Sequence, residues 1–182
     1  MQGLQVIAGR YKGRKIYTSQ NNTYRPTKSR VRKSLFDHLG QLNGLKFADL
    51  FSGSGIMGLE AASRGTTKVY LVENDRKNIK DLSINLEKLG VTGIELLEMD
   101  VFRFLKNNYT LDMIFADPPY EWFSDVQIKE KIIPLIESSL ECISEKGLFI
   151  LESPAKAQLW PDYEKSYGDT KLNFWSKKCI EK

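Results

Sequence analysis

Leu111-Asp112-Met113-Ile114-Phe115-Ala116 runs directly into Asp117-Pro118-Pro119-Tyr120. The first six residues are apolar apart from Asp112, the pattern of a parallel strand buried on both faces. Two prolines cannot continue a hydrogen-bonded ladder, so the strand must end there. Asp117 and Tyr120 are thereby left at the carboxyl end of a central strand, the edge at which open α/β sheets bind ligands. A proline-terminated strand with a loop acid and a packing tyrosine is the plainer alternative.

Strand and helix patterns alternate on either side of this stretch. Residues 47–51, 69–72, 94–97, 111–116 and 148–151 read as five core strands. Residues 56–63, 76–89 and 101–106 read as helices between them, the second with Ile79, Leu82, Leu86 and Leu89 on one face and Gly90 as its stop. A helical region over 126–140 is expected to bend near Pro134. This rhythm predicts an α/β fold, a doubly wound and mostly parallel sheet with helices on both faces. The tail departs from it: residues 162–167 and 170–175 flank Gly168-Asp169, as in an antiparallel hairpin.

The front of the chain reads differently. Residues 4–7 and 15–17 are short strand candidates around a glycine-punctuated basic turn, too small to fold alone. Thr27 is placed to cap a helix in which Val31, Leu35 and Leu39 recur at four-residue spacing and Phe36 lies beside them. Lys28, Arg32 and Lys33 are expected off that apolar stripe. The expected division is an appended arm and helix over 1–44 and a single core domain over 45–182.

A chain of 182 residues has room for one domain with a proper core. No apolar run approaches the length of a membrane span, and the N-terminus has no signal-peptide pattern, so a cytoplasmic protein free of membranes is expected. Cys142 and Cys179 are far apart, match no metal spacing and read as reduced thiols. The single histidine, His38, falls in a helix and reads as a packing or surface residue. A monomer is expected. No metal is.

The net charge of +4 conceals an asymmetry. Residues 1–33 hold nine basic residues and no acid: Arg10, Lys12, Arg14, Lys15, Arg25, Lys28, Arg30, Arg32 and Lys33. The remaining 18 basic residues face all 23 acids, a net of −5. A basic head on an acidic body predicts a polyanion contacted at one end, with Arg10, Lys12, Arg14, Lys15, Arg25, Arg30 and Arg32 as candidate contacts.

Asp49-Leu50-Phe51-Ser52-Gly53-Ser54-Gly55 reads as a strand, a glycine-rich turn and a helix start. Glycines there let backbone approach a ligand in the first βα crevice, a turn that dinucleotide-binding proteins share. Glu73 ends the second strand, about twenty residues on, where an acid can accept both hydroxyls of a ribose. Asp100 follows the third strand and can accept from an adenine amino group. Each acid alone could be a helix N-cap. Four acids, Asp49, Glu73, Asp100 and Asp117, ending four successive strands argue for a site.

Asp117-Pro118-Pro119-Tyr120 resembles the catalytic tetrapeptide of methyltransferases that modify exocyclic amines of bases. Such an amine is a poor nucleophile because its lone pair is delocalised into the ring. Hydrogen bonds to the Asp117 carboxylate and the Pro118 carbonyl would favour its rehybridisation, and Tyr120 would stack on the base.

The resemblance extends along the chain: Arg25-Pro26-Thr27-Lys28-Ser29-Arg30-Val31-Arg32, Leu35-Phe36, the turn from Asp49 to Gly55, Gly58-Leu59-Glu60-Ala61, Ser63-Arg64-Gly65 and Tyr167-Gly168-Asp169-Thr170. Together these resemble the bacterial RsmD-like methyltransferases of 16S ribosomal RNA, which act on the N2 amine of guanine 966. Ile56-Met57 and Lys33, the latter where an acid is expected, depart from the family pattern.

The resemblance implies a Rossmann-like class I fold with a seven-stranded sheet, and S-adenosylmethionine as cofactor. It implies cofactor contacts from Thr27, Asp49, Phe51, Ser52, Gly53, Ser54, Gly55, Glu73, Asn74, Asp100, Val101 and Asp117. It also implies that the basic arm touches the small ribosomal subunit or an assembly intermediate. Three other functions compete: an adenine-N6 methyltransferase, a nucleotide-dependent oxidoreductase and a non-catalytic RNA-binding assembly factor. The first usually needs a target-recognition segment for which this chain has no room. The second gives no reason for Asp117-Pro118-Pro119-Tyr120, and the intact acids argue against the third.

Overall fold

The structure, a computed structural model, describes residues 4–17 and 29–177. Arg25, Thr27, Lys28 and Cys179 lie outside the described residues. Seven strands form one sheet: β1 (Lys46–Leu50), β2 (Lys68–Glu73), β3 (Ile94–Glu98), β4 (Leu111–Ala116), β5 (Ile143–Pro154), β6 (Tyr163–Tyr167) and β7 (Thr170–Ser176). Their order is β3-β2-β1-β4-β5-β7-β6. The first five are parallel, and β7 runs antiparallel to both β5 and β6. This is the class I methyltransferase fold. From β1 the chain winds outward to β3, then returns to β4 on the other side, so the winding reverses between β1 and β4. The crevice at that reversal is where doubly wound sheets bind ligands.

Alternation along the strands divides the core in two. Phe47, Leu71, Phe115 and Ile150 face a cluster made with α1 (Ser29–Leu39), α2 (Ile56–Ser63), α3 (Arg76–Leu89) and the N-terminal arm. Ala48, Leu50, Ile114, Ala116 and Leu151 face the other, with α4 (Val101–Leu105) and the helical region before β5. That region is a short α5 (Asp125–Gln127), a π-helical turn (Ile128–Ile132) and α6 (Ile133–Cys142). Pro134 sits in the first turn of α6. Its missing N–H and its ring rule out regular pairing with the preceding turn, which widens into a π-helical turn where the sequence predicts a bend.

Two expectations need correction. The fifth strand is much longer than residues 148–151. Ile143 already pairs with Leu111, and after an irregularity pairing resumes at Met113 and Leu148. The arm, read as two short strands, makes a single bridge between Gln5 and Lys15. Backbone bonds between its two sides, such as Ile16 N–H to the Leu4 carbonyl at 2.7 Å, keep it folded, and Val6, Tyr11 and Ile16 are buried against α1 and α2. At Gly9 (φ 81°) a Cβ would lie 1.9 Å from the Ser63 carbonyl oxygen, so only glycine lets the arm lie this close to α2.

Candidate active site

β1 ends at Leu50, and Phe51 turns the chain out of the sheet with φ 62°, a left-handed conformation that costs a non-glycine residue about 1–2 kcal/mol. Its ring packs edge-on against Trp122, 5.2 Å between centroids, and Trp122 stacks at 6.1 Å on Phe102. The turn that follows is held from both sides. Ser52 Oγ donates to the Asp49 carbonyl at 2.7 Å, and Gly53 N–H donates to Glu73 Oε2 at 2.8 Å. Gly55 (φ 73°) opens α2, and a Cβ there would lie 2.4 Å from Leu82. A Cβ at Gly58 would lie 2.3 Å from Leu71, so that glycine sets how closely α2 packs on β2.

Asp49 is fully buried and accepts from Gly58 N–H at 3.0 Å. Burial holds its carboxyl well above the usual carboxylate range; the Gly58 N–H opposes that shift and Glu73 adds to it. Glu73 is buried as well. Besides Gly53 it accepts from the backbone N–H groups of Asn74 and Asp75, both at 2.9 Å. It therefore fastens the β1 turn to the start of α3 as well as lying at the crevice.

Asp117 follows β4, whose Ala116 pairs with Leu50 of β1 and Leu151 of β5. One step beyond that row, Glu73, Asp117 and Glu152 point to the same face of the sheet, with Asp49 one repeat below. Burial raises Asp117 well above the ordinary carboxylate range, and the charges of Glu152 and Asp49 raise it further. Pro118 is buried. Tyr120 is 49% exposed, at the start of a 3-10 turn (Tyr120–Phe123) closed by Trp122 N–H on the Pro119 carbonyl.

The family described as conserved hypothetical protein 95 covers residues 4–176. The chain belongs to this family, that of the RsmD-like methyltransferases. Ribosomal RNA small subunit methyltransferase D of Buchnera aphidicola is 30% identical over 170 residues, 89% of this chain and 86% of that protein. The solved structure of a hypothetical protein from Thermus thermophilus superposes with a TM-score of 0.82 at 28% identity, covering 95% of this chain and 99% of that one. The fold is shared more widely. A 16S rRNA N2 G1207 methyltransferase of Thermus thermophilus reaches a TM-score of 0.70 at 21% identity, covering 87% of this chain and 45% of that one.

In this RsmD-family chain Asp49, the turn from Phe51 to Gly55, Glu73 and Asp117 all come together at the reversal between β1 and β4. Asn74 lies exposed beside Glu73. Asp100 lies exposed one strand further out and caps α4, its Oδ1 accepting from Phe102 N–H at 2.9 Å; Val101 beside it is buried. The N-cap alternative thus describes one oxygen of Asp100.

The described basic residues of the arm do not gather at this edge. Arg10 N–H donates to the Ser63 carbonyl at the end of α2, and the Arg14 guanidinium donates to the Leu89 carbonyl at the end of α3. Both helices run back from the carboxyl edge, so the turn carrying Arg10, Lys12, Arg14 and Lys15 sits at the opposite edge of the sheet. Arg30 is exposed on the first turn of α1.

Arg32 corrects an expectation outright. The sequence pattern puts it among the RNA contacts and off the apolar stripe, yet it is 1% exposed. Its Nε lies 3.3 Å from Glu60, and an Nη donates to the Gln5 carbonyl at 3.0 Å. Glu60, fully buried in α2, also pairs with Arg64 and accepts from Ile7 N–H at 2.6 Å. Arg32 thus ties the arm and α1 to α2 and presents no charge to a phosphate.

Three features escaped the sequence. Glu152 lies two residues before the end of β5, one step beyond Leu151 as Asp117 lies one step beyond Ala116, and the run Leu148-Phe149-Ile150-Leu151-Glu152 carried the same signal of an apolar run closed by an acid. Glu60, one acid in the apolar helix Ile56–Ser63, signalled a buried partner. The ring cluster of Phe51, Trp122 and Phe102 left no signal, because its members come from three separate stretches of the chain.

Proposed function

We propose that this protein transfers a methyl group from S-adenosylmethionine to the exocyclic N2 amine of a guanine, guanine 966, in small-subunit ribosomal RNA. The observation that carries the reading is the place of Asp117-Pro118-Pro119-Tyr120, across the β1–β4 reversal from the turn at Ser52–Gly55, in a chain of the RsmD-like family.

The residues suit the cofactor chemically. Asp49, Asp117 and Glu152 crowd together at raised or mutually repelling charge, so a cation entering the crevice would relieve them. S-adenosylmethionine carries a sulfonium and an ammonium, and when bound it supplies the electrophilic methyl group. Asp49 and the turn from Phe51 to Gly55 would hold its amino acid part, with Thr27 over it. Glu73 and Asn74 would hold the ribose, and Asp100 and Val101 the adenine.

Asp117 would accept a hydrogen bond from the guanine amine, with the Pro118 carbonyl accepting the other. This draws the nitrogen toward sp3 geometry and offsets the positive charge it gains in the transition state. Tyr120, open to solvent, would stack on the base and aim it. Arg10, Lys12, Arg14, Lys15, Arg25 and Arg30 would contact RNA phosphates.

The test uses small subunits from a bacterium lacking the enzyme, incubated with the protein and S-adenosylmethionine and digested to nucleosides for mass analysis. N2-methylguanosine is expected. N6-methyladenosine would place the enzyme among adenine methyltransferases, and no methylated nucleoside would leave a binding factor.

A further inference from the structure

Beside the acids, the carboxyl edge opens into a groove of about 1410 Å³ that extends from Tyr120 past the segment following β5 to Trp160. Pockets for single small ligands hold roughly 300–1,000 Å³, so this space suits something extended. Two exposed rings line it: Tyr120 is 49% and Trp160 61% exposed. The Trp160 backbone is anchored, because its carbonyl accepts from the indole N–H of the buried Trp175 at 3.1 Å. Lys129 and Lys156 line the groove, and so do Glu121, Asp125 and Asp169. Net charge therefore does not select the occupant. Continuity does. Tyr120 belongs both to the groove and to the tetrapeptide that meets the reacting base, so a polymer carrying that base has to leave along its walls.

We propose that the groove takes the single-stranded RNA flanking the target guanine, with Trp160 stacking on a neighbouring base and Lys129 and Lys156 meeting phosphates. The proposal rests on the methyl-transfer reading above. An exposed ring is a platform for an unpaired base of any identity, whereas a base inside a duplex keeps its faces stacked and cannot reach it. Trp160 therefore adds affinity without choosing the base, and the groove admits a strand only where the RNA is unpaired.

The test is binding of a fluorescently labelled single-stranded RNA dodecamer by the full chain, read by anisotropy. Trp160→Ala is expected to weaken binding about tenfold, and Trp160→Phe to restore most of it. Lys129→Glu with Lys156→Glu should make the log–log salt dependence shallower by about 0.7 for each phosphate no longer neutralised. Calorimetry with S-adenosylmethionine should give the parent value for every variant, which shows that each is folded. Unchanged RNA affinity in a folded Trp160→Ala would overturn the proposal, as would an unstructured peptide of equal length binding as tightly as the RNA. The two readings fail separately. A parent that binds the strand through Trp160 but methylates no guanine loses its enzymatic assignment and keeps its groove.

Discussion

The buried acids at one edge of the sheet and the arginines of the arm at the other are used in opposite ways. At the carboxyl edge burial raises the proton affinity of Asp49 and Asp117, Glu73 adds to the first and Glu152 and Asp49 to the second, although Asp49 also accepts from Gly58 N–H and Glu152 from the Thr170 hydroxyl. At the other edge the arginines of the arm do structural work: Arg14 bonds the end of α3, while Arg10 and Arg14 flank the Tyr11 ring at 5.6 and 5.0 Å. Arg32 is buried outright against Glu60. A run of like charge in a sequence is therefore weaker evidence of a ligand than a set of like charges that the topology forces together. Crowded carboxylates cost folding energy, and a site that keeps them is prepared for a cation.

The largest effect that would break this contrast is on stability. Glu60→Ala leaves the buried Arg32 without its carboxylate and removes the acceptor of Ile7 N–H. Loss of one partner from a buried ion pair costs about 3–5 kcal/mol, and urea denaturation should show it. A loss below about 1 kcal/mol would mean that the arm is not held through this pair.

The second expected effect is on pH dependence. In the free protein Asp49 and Asp117 have raised proton affinity, and a bound cation would lower it, so binding releases protons. The affinity for S-adenosylmethionine should therefore rise with pH from the ordinary carboxylate range, about pH 4, upward. The free protein should show the opposite sign. The stability associated with these raised groups is fully present below that range and is lost as pH rises through their folded values. Asp117→Asn should flatten both trends. An affinity that falls with rising pH would contradict the crowding account.

The smallest effect concerns the exposed tip of the arm. Lys12→Glu with Lys15→Glu should leave cofactor affinity and stability within experimental error, and make the salt dependence of RNA binding shallower by about one log–log unit for each phosphate the arm no longer meets. An unchanged slope would leave the arm a purely structural device.

How much was legible follows the same contrast. α2, α3 and β4 were readable to the residue, since glycines, an N-cap and two prolines end them locally. The seven-stranded sheet with its C-terminal hairpin followed from the rhythm and the family resemblance. The meeting of Asp49, Glu73 and Asp117 was legible because strand ends in a parallel sheet share an edge. Where the arm docks was not, because that depends on contacts such as Ile7 with Glu60 and Tyr17 with Asn85, which are 53 and 68 residues apart in sequence. Arg32 was misplaced for the same reason. Its burial is completed by Glu60 on another helix, and the one local sign, its place three and four residues before Leu35 and Phe36, does not name that partner. Glu152 was missed although it follows the predicted strand 148–151 as Asp117 follows 111–116, since no motif like the two prolines and tyrosine stands beside it.

The central claim is that Asp117 performs the chemistry at the carboxyl edge. Its most direct test is single-turnover methylation of small subunits at saturating S-adenosylmethionine, with Asp117→Ala beside the parent. Preorganised electrostatic groups of this kind are worth about 10²–10³ in rate, so the variant should lose at least that much while still binding the cofactor. A near-normal rate in Asp117→Ala would contradict the account.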